Sequence, residues 1–308
     1  MTRVKAIAPA TVANVTCGFD IFGFAVERPF DEVIITLKDE PGVTISKIHG
    51  DGGRLPISPE KNTAGVAVNE FFKAIGTEKG ATIELTKNLP LGSGMGSSAA
   101  SSVAALVAIN HLLGKPFKRN ELLPFAMEAE RVACGSGHAD NVAPSLLGGF
   151  VLVRGYDPLD VVNVPTPDDL FCTLVHPQLE LKTEDSRKVL KVSVQLRDAV
   201  RQWGNIAGLV AGLMKPDYDL ISRSMHDYIV EPIRSVLIPG FDQIKDEIVK
   251  AGALGSGISG SGPTIFALSK DMNTAVKVGD VIQRQFNRFN VDSEIYVSRV
   301  NQTGATVI

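Results

Sequence analysis

The chain has 308 residues, 44% of them hydrophobic and 21% charged, and a net charge of -3. That length can bury a large core and suits one large or two moderate domains, with the composition of a soluble globular protein. The acidic balance argues against a nucleic-acid surface, and no apolar run is long enough to span a bilayer or resembles a signal segment. The cysteines Cys17, Cys134 and Cys172 form neither a disulfide framework nor a zinc pattern, which points to a reducing cytoplasm.

Val4 to Ala8 reads as an opening strand, followed by Pro9 to Asp20, small, polar and too irregular for a regular element. Strands are expected over Glu32 to Lys38 and Val43 to Ile48, with Pro41-Gly42 as the turn between them. His49 to Lys61 reads as a loop, and Asn62 as the N-cap of a helix from Thr63 to Ile75. Ala81 to Lys87 alternates as a half-buried strand does. The stretch Pro90-Leu91-Gly92-Ser93-Gly94-Met95-Gly96-Ser97-Ser98-Ala99-Ala100 comes next, and a helix rich in Ala, Val and Leu runs from it to Leu113. Another helix is expected over Asn120 to Arg131, broken at Cys134 to Asn141, then a strand over Gly149 to Arg154. Tyr156 to Asp169, dense in Pro and Asp, reads as a connector, and the domain boundary is placed there, dividing residues 1–160 from 161–308.

The second half restarts with a strand over Phe171 to His176. Helices follow over Glu184 to Leu190, Val194 to Met214 and Tyr218 to Met225. Its last part reads helix (Phe241 to Ala251), glycine-rich turn, strand (Thr264 to Ser269), helix (Ala275 to Phe289), strand (Glu294 to Val300). This alternation predicts an α+β fold with helices on one face of a mixed sheet.

The order strand, glycine-rich turn, helix around Pro90 to Ser102 suits a polyphosphate. The first N–H groups of a helix lack intrahelical partners, and the macrodipole adds positive charge there. The stretch is neither a Walker A loop nor a Rossmann fingerprint. A small-residue helix packed closely on a neighbour is the competing reading of these residues. Ser97 and Ser98 also suit an N-cap pair.

Three stretches recur in one order: Asn14 to Asp20, Pro90 to Ala100, and Gly257 to Thr264. Together they resemble the GHMP small-molecule kinases. The middle stretch follows that family's P-x-x-x-G-L-G-S-S-A-A loop with Met95 at the usual Leu. In the first, Val15, Thr16 and Cys17 replace the middle of N-L-G-x-G-F-D, while Asn14, Gly18, Phe19 and Asp20 are retained. His138-Ala139-Asp140-Asn141-Val142-Ala143-Pro144 is similar to the branch of the family that phosphorylates L-homoserine.

The resemblance implies a two-domain fold: a ribosomal-protein-like α+β nucleotide domain, then a ferredoxin-like α/β sandwich, with the acceptor between them. It implies ATP and Mg²⁺, transfer of the γ-phosphoryl group to the side-chain hydroxyl of L-homoserine, and a place in threonine biosynthesis. By analogy it implies a homodimer as well. Family correspondence puts the metal at Ser98 and Glu130, and the nucleotide at Asn62 and Pro90 to Ala100. An amino-acid acceptor needs an acid for its ammonium and an Arg fork for its carboxylate. Asp20 is the expected acid, Arg187 and Arg234 the forks, Thr183 a hydroxyl donor, and Asn14 and His138 further contacts. Asp140 is expected to touch the substrate and Asn141 to orient its hydroxyl. A sister kinase acting on mevalonate or a sugar, or a non-catalytic nucleotide-binding protein, are the alternatives.

Overall fold

In the computed structural model of the protein, residues 2–181 and 183–308 are described. The first half runs β1 (Arg3–Ala13), β2 (Phe22–Lys38), β3 (Gly42–His49), α1 (Thr63–Ile75), β4 (Gly80–Thr86), α2 (Ser97–Leu112), α3 (Leu123–Cys134), α4 (Ala139–Leu147), β5 (Phe150–Tyr156) and β6 (Leu159–Val164). The second runs β7 (Phe171–Pro177), α5 (Thr183–Lys188), α6 (Leu196–Met214), α7 (Tyr218–Ser224), α8 (Glu231–Arg234), α9 (Phe241–Ala251), β8 (Gly255–Ile258), β9 (Ile265–Ser269), α10 (Met272–Arg288), β10 (Ser293–Arg299) and β11 (Thr306–Val307).

The first sheet has the order β11-β1-β2-β4-β3, with β5 on β2 and β6 on β5. Only β3 and β4 pair in parallel among its described strands. The long β2 forks: Phe22 to Phe24 pair with β5, and Glu32 to Lys38 pair with β4. Helix α2 lies on this sheet and is buried on most of its surface, through Ala99, Ala100, Val103, Ala104, Ala105, Leu106, Ala108 and Ile109. Small side chains allow that close packing, and a helix buried all round needs no amphipathic period. Its neighbour α1 begins where expected, the Asn62 side chain accepting from the Ala64 N–H at 3.1 Å, and ends on Gly76.

The second sheet, β10-β7-β9-β8, is antiparallel throughout. A separate core of Ile244, Ile248, Ile265, Val278, Ile282 and Phe286 joins it to α9 and α10. Its other side chains, Leu174, Phe266 and Leu268, enter the core of the first half. The chain then returns, and β11 closes the edge of the first sheet on β1.

Several local expectations give way to tertiary pairing. Pro9 to Ala13 is strand, not irregular loop; a register shift between Pro9 and Thr11 absorbs the proline, and burial on both faces hides the alternation. The strand expected at Glu32 starts ten residues earlier, at Phe22. The connector Tyr156 to Asp169 contains β6, an exposed edge strand that gains its order from β5. Position 160/161, where the domains were divided, falls inside β6. The glycine-rich turn before Thr264 contains β8, whose GSGI sequence has poor strand propensity but pairs with β9. The break at Cys134 to Asn141 is shorter than expected, because α4 starts at Ala139.

Phe24 ties the halves together. Its ring stacks on Phe150 at 4.4 Å and meets Phe266 of β9 edge-on at 6.1 Å, and all three are fully buried. Phe24→Ala should cost about 3–5 kcal/mol in denaturant unfolding. A loss under about 1 kcal/mol would show that the junction has little energetic weight.

Candidate active site

The three stretches, two of them glycine-rich, meet at one place. Gly94 and Gly96 both adopt the left-handed region, with φ of 80° and 67°. A Cβ on Gly94 would lie 2.3 Å from the carbonyl oxygen of Ser259 and 2.8 Å from that of Gly262. A Cβ on Gly96 would lie 2.1 Å from Oγ1 of Thr11. Only glycine fits either position. The Ser259 hydroxyl donates to the Gly94 carbonyl at 2.8 Å, and the Asn14 side-chain amide donates to the Gly260 carbonyl at 2.8 Å. The third stretch thus binds the first and the second. Thr16, at a usual glycine position, keeps a left-handed φ of 60° and packs its methyl group against Gly257.

A cavity of about 460 Å³ opens above this junction. It is lined by Asn14, Asp20, Asn62, Leu91, Gly92, Ser93, Gly94, Gly96, Ser97, Ser98, Glu130, His138, Asp140, Asn141, Arg187 and Arg234, all singled out from sequence. Pro90, Met95, Ala99 and Ala100 do not line it; the last three are fully buried in the core. Thr183 begins α5, but its side chain lies outside the described residues. Sequence reading missed Arg54, Lys61, Lys87, Ser101, Ser136, Gly260 and Ser261. Of these, Gly260 and Ser261 belong to the third stretch, so its spacing carried the signal.

At the start of α2 the N-cap is Gly96, with no side-chain cap. Neither Ser97 nor Ser98 caps the helix: Ser97 donates to the Leu89 carbonyl at 3.3 Å, and Ser98 to Oε2 of Glu130 at 2.9 Å. An uncapped N-terminus facing a cavity is suited to an anion. Burial pushes the Glu130 carboxyl up to about 7, against the lowering effects of the Ser98 hydrogen bond and the Lys87 charge. Hydroxyl and carboxylate together make a pair of hard oxygens fitted to Mg²⁺, which takes few protein ligands and completes its shell with phosphate oxygens and water. No cluster of three acidic, His or Cys side chains suited to a metal occurs among the described residues.

Beneath the loop, Lys87 and Asp31 form a buried ion pair, their side chains 1% and 0% exposed. The ammonium also donates to the Ser97 carbonyl at 2.7 Å and to the Ser101 hydroxyl at 2.8 Å. Asp31 accepts the Asn88 and Leu89 N–H groups at 2.8 and 3.0 Å. Burial pulls Lys87 below its ordinary value, and Asp31 opposes that pull. This pair fixes the first turn of α2 to the end of β4.

Toward the second half, Arg187 holds Asp20 in a two-pronged ion pair at 2.7 and 3.1 Å. His138 Nδ1 lies 3.8 Å from the same carboxylate. The guanidinium groups of Arg187 and Arg234 lie over the Phe19 ring at 5.4 and 5.1 Å. Arg234 is buried and donates to the carbonyls of Ser186 and Gly260, both at 3.1 Å. Acid and arginine, expected to meet opposite ends of a ligand, are thus each other's partner here. Asp140 is buried, and burial with the nearby Asp20 charge raises its carboxyl to about 7, which Arg187 opposes. Asn141 accepts from the Thr11 hydroxyl at 2.7 Å, which leaves its NH₂ group as a donor. The Tyr156 hydroxyl donates to the Asp20 carbonyl at 2.8 Å and accepts from the Ala139 N–H at 3.2 Å, bracing both motifs.

Two predictions follow from the buried charges. Lys87→Met leaves Asp31 buried and unpaired, and should destabilise by about 3–5 kcal/mol in denaturant titration, whereas Asp31→Asn with Lys87→Met recovers most of that loss. A single variant as stable as the parent would remove the pair from its supporting role. Burial raises the Glu130 carboxyl in the folded protein to about 7, from its ordinary 4.5. Its protonated form is favoured by the fold, so its contribution is full below about 4.5 and is lost as pH rises through about 7. Thermal unfolding of the ligand-free protein should show that decline, and Glu130→Gln should flatten it.

Known proteins resemble this chain over its whole length. Residues 62–149 match the GHMP kinases N terminal domain, and residues 209–288 match GHMP kinases C terminal. The homoserine kinase of Chlorobium phaeobacteroides is 52% identical, with 100% of both chains covered, and that of Chlorobaculum tepidum is 50% identical, covering 100% of this chain and 99% of its own. The crystal structure of homoserine kinase from Cytophaga hutchinsonii superposes with a TM-score of 0.98 at 56% identity, covering 100% of this chain and 98% of that one. Mevalonate kinase of L. major shares the fold alone, with a TM-score of 0.72 at 15% identity over 96% of each chain. With both family domains in place and full-length relatives at half identity, the chain belongs to the GHMP kinase family.

Proposed function

We propose that the chain is an ATP-dependent homoserine kinase. It transfers the γ-phosphoryl group of ATP to the side-chain hydroxyl of L-homoserine, giving O-phospho-L-homoserine and ADP, a step of threonine biosynthesis. The observation that carries this reading is one cavity holding both half-sites. The uncapped start of α2 with Ser98 and Glu130 is at one side, and Asp20, His138, Asp140, Arg187 and Arg234 are at the other. Relatives named homoserine kinase at 50–52% identity over their full length support the choice of acceptor.

Phosphoryl transfer asks a protein for position and charge neutralisation more than for covalent help. The loop from Leu91 to Ser98 offers backbone N–H groups and hydroxyls to the phosphates, and Asn62 stands on the cavity wall for the nucleoside side. Mg²⁺, when bound at Ser98 and Glu130, neutralises charge on the phosphate oxygens. The side-by-side carboxylate and guanidinium of Asp20 and Arg187 match the ammonium and carboxylate of an amino acid, with Arg234 and Thr183 as further partners for the carboxylate. Asn14 fixes the Asp20 backbone, accepting its N–H at 3.0 Å. Asn141 orients the hydroxyl. Asp140, with a carboxyl near 7, is suited to touch the substrate and to hold its proton.

The same reading divides the chain near residues 156–169 into a nucleotide-binding half and a second half. It makes the protein a cytoplasmic homodimer that binds neither nucleic acid nor membrane. Among the described residues no helix is long and apolar enough to cross a membrane. Cys17 and Cys172 are buried free thiols, which suits a reducing compartment.

Incubation of the pure protein with Mg-ATP and homoserine, mevalonate, galactose or no acceptor tests the assignment. ADP should appear with homoserine alone; release with another acceptor, or none at all, overturns it. Asp140→Asn should lower kcat by about 10²–10⁴-fold if Asp140 holds the proton, against a smaller loss for Asn141→Ala. Equal modest losses remove Asp140 from that role.

A further inference from the structure

Asp20 and Arg234 reach the same cavity from opposite parts of the chain, one from the first stretch and one from α8. Their segments are tied together at two points. The inner one is the Gly260 carbonyl, which accepts from Asn14 and from Arg234. The outer one is Gln202 of α6, which is buried and does not line the cavity. Its NH₂ group donates to the Cys17 carbonyl at 3.0 Å and to Oδ1 of Asp227 at 2.9 Å, and its oxygen accepts the Tyr228 N–H at 3.0 Å. Asp227 also accepts the Ile229 and Val230 N–H groups on Oδ1 at 2.8 and 3.0 Å, and the Glu231 N–H on Oδ2 at 2.8 Å. An aspartate that collects successive N–H groups in this way fixes the turn that follows it. The Val230 carbonyl then accepts the Arg234 N–H at 3.1 Å, so Arg234 stands on the turn that Asp227 shapes.

We propose that Gln202 and Asp227 are positioning residues for the acceptor, and that together they set where Arg234 stands relative to Phe19 and Asp20. The proposal rests on the homoserine kinase reading and adds to it two side chains outside the cavity wall. The Cys17 carbonyl lies just ahead of Phe19, whose ring carries the guanidinium groups of Arg187 and Arg234 at 5.4 and 5.1 Å. A shift of Cys17 carries Phe19 and Asp20 with it, and a shift of the 228–231 turn carries Arg234. One amide holds both. Only a side chain that donates twice and accepts once meets these three partners. A carboxylate at 202 has no proton for Cys17 or Asp227, and an apolar side chain leaves the Cys17 carbonyl and the Tyr228 N–H unpaired. The other end of the cavity is braced within the first half, by Ser98 on Glu130 and by Lys87 on Asp31 and the Ser97 carbonyl. Loosening the Gln202 node therefore acts on the acceptor and spares the nucleotide.

Steady-state kinetics of the full chain, with homoserine and ATP varied separately, test this. A displacement near 1 Å at a positioned group costs on the order of 10²-fold, so Gln202→Met, which is close in volume, should raise KM for homoserine by about 10–100-fold. KM for ATP should stay within about twofold and kcat within about fivefold, the pattern of lost acceptor binding alone. Unfolding should remain cooperative. Asp227→Ala should show the same split, and Asp227→Asn, which keeps an oxygen for Gln202, Ile229 and Val230, should recover most of the loss. KM values for homoserine and ATP that rise together, or that both stay at the parent level, overturn the proposal. An Asp227→Asn variant no better than Asp227→Ala removes Asp227 from the role. A parent that phosphorylates mevalonate or galactose instead overturns the homoserine assignment alone, and the same split is then read between that acceptor and ATP. A parent that phosphorylates none of them overturns both.

Discussion

At Gly94 two backbones approach so closely that a single methyl group would collide with the Ser259 and Gly262 carbonyls. That approach joins the Pro90–Ala100 loop, on the first sheet, to the turn between β8 and β9 on the second. The Ser259 hydroxyl and the Ser93 carbonyl, which accepts the Thr264 N–H at 3.2 Å, complete the seam. The cavity exists because the halves are held this way. One wall comes from the start of α2, and the other from residues reached through Gly260, whose carbonyl accepts from both Asn14 and Arg234.

Charge is distributed on the same plan. Lys87 and Asp31 lie buried beneath the loop, where removing one partner costs far more than replacing both. Glu130 and Asp140 sit at the cavity with carboxyls raised to about 7, each by burial first. Carboxyls so poised exchange protons or accept a cation at little cost near neutrality. Asp20, by contrast, is held between Arg187 and His138, with the arginines lying on the Phe19 ring. The two ends of the cavity therefore differ in charge arrangement, with raised carboxyls at Glu130 and Asp140 and a closed ion pair at Asp20 and Arg187.

Helix α6 links that site to the outside of the molecule. Its inner face bears on the backbone of Cys17, and Leu196, Val200, Trp203 and Met214 on its outer face are exposed.

The amino-acid order alone determined the three motif stretches, the cap of α1, most helices of both halves and much of the cavity wall, but not Arg54, Lys61, Lys87, Ser101 or Ser136. Those features depend on local chemistry: glycine where φ is positive, Asn at a cap, small residues on a helix that must pack closely. Strands β6 and β8 and the start of β2 were not legible, because edge exposure, glycine content and burial on both faces each erase the alternation that marks a strand. Only the tertiary structure decided that Asp20 and Arg187 pair with each other, that Lys87 meets Asp31 across 56 residues, and that Ser98 reaches Glu130. Such contacts join positions far apart in the chain, and no local pattern records which distant charge a side chain will find.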